Sequence, residues 1–192
     1  MTAQLQPGKI DDQWDLSPRD HLDACTQASW ESATASAGAV SVVMVELDDF
    51  GRYCDNYGTE AGELLLRRAA AVLRASGLSA SACAARLGAG EFLIILPGTT
   101  LDAARIPAER ILRATRDLEI PHRGSTVSNY VTVSIGAASC RPQPGDSLVT
   151  LLEAGASALW SAKRRGHNRI AAYELSPEVG TAATDAALRH VG

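Results

Sequence analysis

Apolar residues occur along the chain in two patterns, either at helical spacing or in short continuous and alternating runs. The β-branched run Val40–Leu47 predicts a strand that is buried on both faces. Residues 83–87 and 92–96 flank a glycine-rich tip and predict a hairpin. Residues 129–140 alternate as a strand, and the segment RIAAYE (169–174) predicts a closing strand.

Helical spacing accounts for most of the remaining chain up to residue 174. A helix is predicted over residues 17–37, with Ser17 as its N-cap. A short helix ends at Gly58, and Thr59 is expected to cap the next one. Two further amphipathic helices follow, around Pro107 and before Gly166. Helices interleaved with strands in this order predict an α/β (α+β) sandwich with a central sheet.

A single folded domain is expected over residues 15–174, after a polar leader at 1–14 and before a C-terminal tail at 175–192. No apolar run approaches the roughly 20 residues of a membrane span. The first residues lack the basic and then apolar pattern of a signal peptide. These features together predict a cytoplasmic domain with no membrane segment.

Composition excludes one class of function. The chain has 192 residues, of which 46% are hydrophobic and 21% are charged, and its net charge is −4. A general nucleic-acid binder needs a basic surface, so nucleic acid is not an expected partner. The segment AKRRGHNR (162–169) is locally basic and would suit one small anionic ligand.

The cysteines give no sign of a metal site or of a disulfide framework. Cys25, Cys54, Cys83 and Cys140 lie far apart, without a CxxC pair or a histidine at zinc-ligand spacing. We therefore expect four reduced thiols, several of them in apolar surroundings.

Three carboxylates cluster where the first predicted strand ends. Glu46 lies in the strand, and Asp48 and Asp49 follow directly. A carboxylate at the end of a buried strand, beside a helix start, is suited to holding a divalent cation near a phosphate. Asp48 or Asp49 could equally cap the following helix. Both interpretations stay open, since Glu46 could bind a cation while Asp48 caps.

Three blocks in this order, ELDDFGRYCDNYGTEAGE, RLGAGEF and SALWSAKRRGHNR, resemble the GGDEF family, the diguanylate cyclases. The VTVSIGAA strand and the segment DLSPRDHL are also similar to that family, so the resemblance covers residues 16–174. It implies a nucleotidyl-cyclase-like fold with a mostly antiparallel sheet flanked by helices. Active members condense two GTP molecules, one on each subunit, into cyclic di-GMP with Mg²⁺ or Mn²⁺.

The resemblance assigns catalytic and metal-binding positions. Glu46 matches the first metal carboxylate, and Leu47 matches a backbone metal ligand. Gly90 replaces the metal-binding acid of the signature turn, and Glu91 matches its second acid. On a hairpin, the Glu91 side chain should point to the face opposite to the expected metal site, so Glu91 would not substitute for the missing acid. Gly90 is also compatible with a glycine that the turn geometry requires. The whole signature turn, expected at the catalytic site, comprises Gly88, Ala89, Gly90, Glu91 and Phe92.

The resemblance also assigns nucleotide contacts. Cys54 replaces the asparagine that reads guanine and cannot supply its donor and acceptor, whereas Glu63 could still accept from guanine N1 and N2 hydrogens. Lys163 matches a phosphate-binding lysine, but cations also suit a helix C-terminus, and both interpretations remain open. The full set of expected nucleotide-binding residues is Phe50, Gly51, Cys54, Glu63, Gly88, Ala89, Lys163 and His167.

The product-inhibition site of the family, an RxxD motif five residues before the turn, is absent, since Ser79 and Ala82 stand there. The resemblance therefore implies a degenerate, catalytically inactive GGDEF domain in cyclic di-GMP signalling. It would bind GTP or cyclic di-GMP at the old active site, with Mg²⁺ or Mn²⁺ if nucleotide binds, or it would bind a protein partner or a second copy. The alternatives are a weakly active diguanylate cyclase and an inert dimerisation or docking domain.

Overall fold

A computed structural model describes residues 16–175 and the backbone of residues 188–190. The predicted order of helices and strands is confirmed from the first helix to the closing strand. The predicted leader, and most of the predicted tail, lie outside the described residues. The elements are α1 (Arg19–Ser36), β1 (Val40–Leu47), α2 (Phe50–Tyr57), α3 (Thr59–Ala75), β2 (Cys83–Arg86), β3 (Glu91–Pro97), α4 (Leu101–Asp117), β4 (Val133–Cys140), α5 (Leu148–Arg164), β5 (Ile170–Leu175) and β6 (Leu188–His190).

One sheet of six strands in the order β2-β3-β1-β4-β5-β6 runs through the described part of the chain. All neighbouring pairs are antiparallel except β4 and β5, which are parallel because α5 crosses between them. The central strand β1 pairs along its length with both β3 and β4. This central position explains why its sequence is apolar at nearly every residue.

Alternation along β1 divides the core between the two faces of the sheet. Val43, Val45 and Leu47 belong to the cluster formed with α3 and α4. Val40 and Val42 belong to the cluster formed with α1 and α5. Since side chains two residues apart share a face, Glu46 is directed to the α1 and α5 side, at the end of the strand.

Helix α5 packs very closely on β4. A side chain at Gly136 would collide with the backbone of Leu159 and Gly155, and a Cβ at Gly155 would lie 2.9 Å from Val42 Cγ2. Glycine at both positions therefore allows the helix backbone to approach the sheet. This contact sets the distance between α5 and the sheet, and the last turn of α5 lies beside the end of β1.

The expectation of four reduced thiols is wrong for two of them. Cys25 on α1 and Cys83 on β2 form a disulfide, with Cα atoms 6.6 Å apart. Both cysteines are buried in the cluster between α1 and the sheet. The pairing arises because α1 packs across the β2 edge, and a separation of 58 residues hides this proximity from the sequence. Cys54 and Cys140 are free thiols.

The starts of two helices differ from the predictions by one or two residues. Helix α1 begins at Arg19, and the Ser17 amide instead donates to the Ala84 carbonyl at 2.8 Å. Helix α3 begins at Thr59 with Gly58 at its N-cap position, where no side chain makes a capping hydrogen bond. Gly58 has a φ of 86°, so it supplies the turn between α2 and α3 and leaves Thr59 inside the helix.

Strand β4 is shorter than the predicted strand over residues 129–140. Asn129 and Val131 pair with the loop after α4 instead of with β1. The His122 amide donates to the Asn129 carbonyl, and the Val131 amide donates to the Ile120 carbonyl, each at 2.8 Å. Among the described residues, no helix combines the length and the apolar character that a membrane crossing requires.

Candidate functional site

The three sequence blocks meet at one end of the sheet. The Leu47 amide of β1 donates to the Gly90 carbonyl of the hairpin turn at 2.9 Å. From the other side, Lys163 Nζ donates to Glu46 Oε1 at 2.8 Å. The site thus lies where β1 ends, between the β2–β3 turn, the start of α2 and the last turn of α5.

An ion pair between Lys163 and Glu46 lies at the centre of this site. The lysine side chain is 36% exposed and the glutamate side chain is 23% exposed, so the pair is partly sheltered from water. Glu46 points toward α5 because of the strand alternation, and the close packing of α5 brings Lys163 to it. The carboxylate that the sequence proposes as a metal ligand therefore has an ammonium partner.

Glu91 lies on the same face of the sheet as Glu46. The two residues are directly opposite each other in the β1–β3 register, and directly opposed residues of an antiparallel pair share a face. The expectation that Glu91 points to the opposite face is therefore wrong. Its carboxylate extends over the turn, since Oε2 lies 3.4 Å from where a Cβ on Gly88 would stand.

Phe92, the last residue of the signature turn, is a core residue and not part of the site. It lies in β3 directly opposite Val45, is only 1% exposed and belongs to the cluster formed with α3 and α4. Successive side chains of a strand point to opposite faces, so Phe92 is directed away from the face that carries Glu91 and Glu46. The expectation that the whole signature turn belongs to the catalytic site is therefore wrong for Phe92, which anchors the hairpin by its burial.

The turn itself depends on Gly90. The Leu87 amide donates to the Glu91 carbonyl at 2.8 Å, which closes a three-residue turn. Gly90 has a φ of 85°, a conformation that residues with side chains rarely adopt. A Cβ at this position would also lie 3.1 Å from Phe50 Cβ and Cγ. Both the backbone angle and the neighbouring ring therefore favour glycine at position 90.

Asp48 is a buried structural carboxylate and does not cap α2. It is 3% exposed and accepts hydrogen bonds from Thr132 Oγ1 at 2.7 Å, Ser134 Oγ at 2.6 Å and the Asn168 amide at 3.1 Å. Both oxygens of Asp48 are thus engaged by donors from Ser134 in β4, from Thr132 directly before β4 and from the loop after α5. The alternative in which Asp48 caps the helix is wrong, because the side chain lies with that of Glu46 on the α5 face.

Asp49 occupies the N-cap position of α2, but its side chain makes no capping hydrogen bond. Its carboxylate accepts instead from the Thr126 amide at 2.7 Å and the Thr126 hydroxyl at 2.8 Å. Burial alone would raise the pKa of Asp49, but the bonds from Thr126 and the charges of Arg52 and His167 hold this pKa below its ordinary 3.8. Asp49 therefore fastens the loop after α4 onto the start of α2.

The expected guanine-reading positions lie together between α2 and α3. Cys54 Sγ lies 2.6 Å from where a Cβ on Gly62 would stand, so the thiol packs against the α3 backbone. Burial, followed by the charges of Asp55 and Glu63, raises the pKa of this thiol. Glu63 Oε2 is buried and has no hydrogen-bond partner within the described residues.

A loop of left-handed residues follows α5. Gly166, His167 and Asn168 all have positive φ, at 107°, 57° and 50°. Arg116 of α4 holds this loop by donating from Nε to Asn168 Oδ1 at 2.7 Å and from its terminal nitrogen to the Asn168 carbonyl at 2.6 Å. Sequence reasoning missed Arg116, because a residue 52 positions away gives no local signal.

Five further residues named in the sequence analysis lie either near this end of the sheet or in the connection between α3 and β2. Phe50 is half-buried against the turn, whereas Gly51 and Ala89 are exposed. Ser79 and Ala82, where the family's inhibitory motif would stand, belong to the connection between α3 and β2.

The residues of the site do not fit a divalent cation. Within residues 16–175, no three His, Cys, Asp or Glu side chains are arranged to hold a metal ion. Glu46 is paired with Lys163, Asp48 already has three donors, and the Glu91 carboxylate lies over Gly88. Mg²⁺ is usually bound through one or two carboxylates together with waters and substrate phosphates, and each of these three carboxylates is already engaged or directed elsewhere.

Comparison with known proteins agrees with the fold. The family model described as "Diguanylate cyclase, GGDEF domain" matches residues 9–169. Diguanylate cyclase A of Treponema denticola is 32% identical over 68% of this chain and 34% of its own length. Diguanylate cyclase DgcS of Shewanella oneidensis is 31% identical over 84% of this chain and 51% of its own length. The chain thus spans about half, or less, of these relatives.

A solved structure of the coiled coil and GGDEF domain of DgcB from Caulobacter crescentus, in complex with cyclic di-GMP, superimposes with a TM-score of 0.74. The two chains are 25% identical, and the match covers 85% of this chain and 84% of the other. The predicted fold class, a mostly antiparallel sheet flanked by helices, is confirmed.

Proposed function

Since this chain belongs to the GGDEF domain family of diguanylate cyclases, we propose that it is a non-catalytic member that acts as a regulatory module of cyclic di-GMP signalling. In this role it binds a guanine nucleotide at the family's active-site position and does not turn it over. Regulation would follow from the difference in structure or partner affinity between the free and the nucleotide-bound domain.

The observation that carries the loss of catalysis is Gly90. Gly90 has no side chain that could bind a metal ion. Its φ of 85° and the short contact that a Cβ would make with Phe50 both oppose a side chain at this position. Phosphoryl transfer needs metal ions that neutralise the phosphates and activate the attacking hydroxyl. Because the turn conformation requires glycine at position 90, the structure of the turn supports the loss of metal-dependent phosphoryl transfer.

Two groups support retained nucleotide binding. Glu63 Oε2 is buried and has no partner in the described chain, and a rotation of this side chain toward the site would offer both carboxylate oxygens to the N1 and N2 hydrogens of guanine. Lys163, at the centre of the site, offers a positive charge to phosphate. Cyclic di-GMP suits this arrangement better than GTP, because it lacks the β and γ phosphates whose charge a metal normally neutralises.

The test combines turnover and binding on the same protein. Incubation with GTP and Mg²⁺ or Mn²⁺, followed by chromatography of the nucleotides, is expected to yield no cyclic di-GMP. Titration calorimetry with cyclic di-GMP is expected to show binding, and Glu63→Gln should weaken it at least tenfold, because the amide presents a donor to a guanine donor. Glu60→Gln, an exposed change on the same helix, is the matched control and should bind as wild type does.

A weakly active diguanylate cyclase is the second candidate. Its support is the direct opposition of Glu46 and Glu91, which leaves two carboxylates on one face of the site. Cyclic di-GMP production by the wild type that Glu46→Ala abolishes would establish this activity and contradict the non-catalytic proposal. If neither turnover nor binding is found at tens of micromolar protein, a docking or dimerisation role is the remaining hypothesis.

A further inference from the structure

We propose that the ammonium of Lys163 is the permanent positive charge of this site. The site then binds its nucleotide without a divalent cation, and without nucleotide it binds divalent cations only weakly. This inference rests on the proposed function for the nucleotide. The expected weak binding of divalent cations depends only on the residues of this chain and not on a nucleotide.

Lys163 occupies the carboxylate that a metal ion would need. Its Nζ lies 2.8 Å from Oε1 of Glu46, the residue that the resemblance assigns as the first metal carboxylate. A cation that bound Glu46 would have to approach the ammonium closely, and two positive charges at such a distance repel strongly in a partly sheltered site. Lys163 therefore competes with any metal for the same carboxylate.

Among the described residues, no other acid is arranged to compensate for the engagement of Glu46. Asp48 is buried and accepts three hydrogen bonds, so both of its oxygens are engaged. Glu91 shares the face of Glu46, but its carboxylate is directed over Gly88. Gly90 contributes no side chain. Removal of Lys163 would leave Glu46 available, with Glu91 close enough in register to move toward it.

The chemistry of Lys163 also favours one kind of ligand. A lysine ammonium is a compact point charge with three donors, so it can keep one hydrogen bond to Glu46 and offer others to a phosphate oxygen. A phosphodiester that carries one negative charge at each phosphate needs no more than this. Lys163 thus selects for a nucleotide with singly charged phosphates over a triphosphate that arrives with a metal ion.

The experiment measures Mn²⁺ binding by electron paramagnetic resonance on the full chain without nucleotide, and cyclic di-GMP binding by calorimetry in EDTA and in Mn²⁺. Lys163→Met is the test variant, and Lys163→Gln is a second version of it. Arg164→Met is the matched control, because it removes one exposed positive charge from the next residue of α5, where the guanidinium lies 4.7 Å from the Trp160 ring centroid.

Wild type and the Arg164 control are expected to bind Mn²⁺ equally, within twofold, and the Lys163 variants at least tenfold more tightly. Adding Glu46→Gln to Lys163→Met should remove this gain. Wild-type affinity for cyclic di-GMP should agree within twofold between EDTA and Mn²⁺, and Lys163→Met should weaken binding at least tenfold in EDTA.

Two results would overturn the inference: Mn²⁺ binding by wild type as tight as by the Lys163 variants, or a tenfold gain in wild-type nucleotide affinity on addition of Mn²⁺. Absence of nucleotide binding in both buffers would instead overturn the proposed function, whereas the Mn²⁺ comparison decides the role of Lys163 by itself.

Discussion

Reduction of the Cys25–Cys83 disulfide is expected to lower the free energy of unfolding by about 2 to 4 kcal/mol. The bond joins residues 58 positions apart, so it removes the freedom of a long loop from the unfolded chain. Chain-entropy arithmetic for a loop of this length gives about 4 kcal/mol at 25 °C. The lower figure allows for structure that persists in the reduced, unfolded chain.

Urea denaturation followed by tryptophan fluorescence measures this difference. Trp30 lies on α1 and packs against the cluster that contains the disulfide, so it reports on the affected region. With a denaturant slope of about 2 kcal/mol per molar urea, the midpoint should fall by about 1 to 2 M in a dithiol reductant. Thiol titration of the unreduced, denatured protein should find two thiols, from Cys54 and Cys140, and four after reduction.

Two variants control for other effects of the reductant. The double change Cys25→Ala with Cys83→Ala should make the midpoint insensitive to reductant, whereas Cys54→Ser should keep the wild-type difference. Four titratable thiols before reduction would refute the pairing. Equal midpoints in oxidised and reduced wild type would refute the argument from loop entropy.

Three further outcomes are expected. Asp48→Asn should cost about 1.5 to 3 kcal/mol in urea denaturation, because the buried carboxylate loses charge-assisted bonds, while exposed Asp55→Asn should have no measurable effect. Gly90→Asp should destabilise by about 1 to 3 kcal/mol without any gain of cyclic di-GMP production by chromatography, and Gly90→Ala should destabilise similarly. Burial, and then the charge of Asp146, raise the pKa of Cys140 to about 12, so mass spectrometry at pH 8 should find this thiol unalkylated by iodoacetamide until the protein is unfolded. The stability linked to this raised pKa is complete below pH 9 and is lost as the pH rises toward 12.

The order of elements could be predicted from the sequence because burial imposes a local period on each segment. Val40–Leu47 has the same bounds in the prediction and in the structure, since a central strand is apolar along its whole length. Helix starts were less accurate. Ser17 and Thr59 are good capping residues by type, but the chain path at Pro18 and Gly58 decided where each helix begins.

The candidate site could be predicted in composition but not in its internal contacts. The absence of an acid at Gly90 can be read from the sequence, as can the positions of Glu46 and Lys163. The backbone angle that makes glycine necessary there is a property of the folded turn. The faces of Glu91 and Phe92 follow from strand register, which is why the sequence-based expectations for both were wrong.

The sequence by itself determined the kinds of elements, their order, the family resemblance and the glycine at position 90, because each of these is a property of neighbouring residues. Only the tertiary structure decided which charges and thiols meet. Lys163 lies 117 residues from Glu46, the Asn168 amide lies 120 residues from Asp48, and Cys83 lies 58 residues from Cys25. Such partners are chosen by strand register and by the close packing of α1 and α5 on the sheet, which bring distant segments together without any trace in the local pattern.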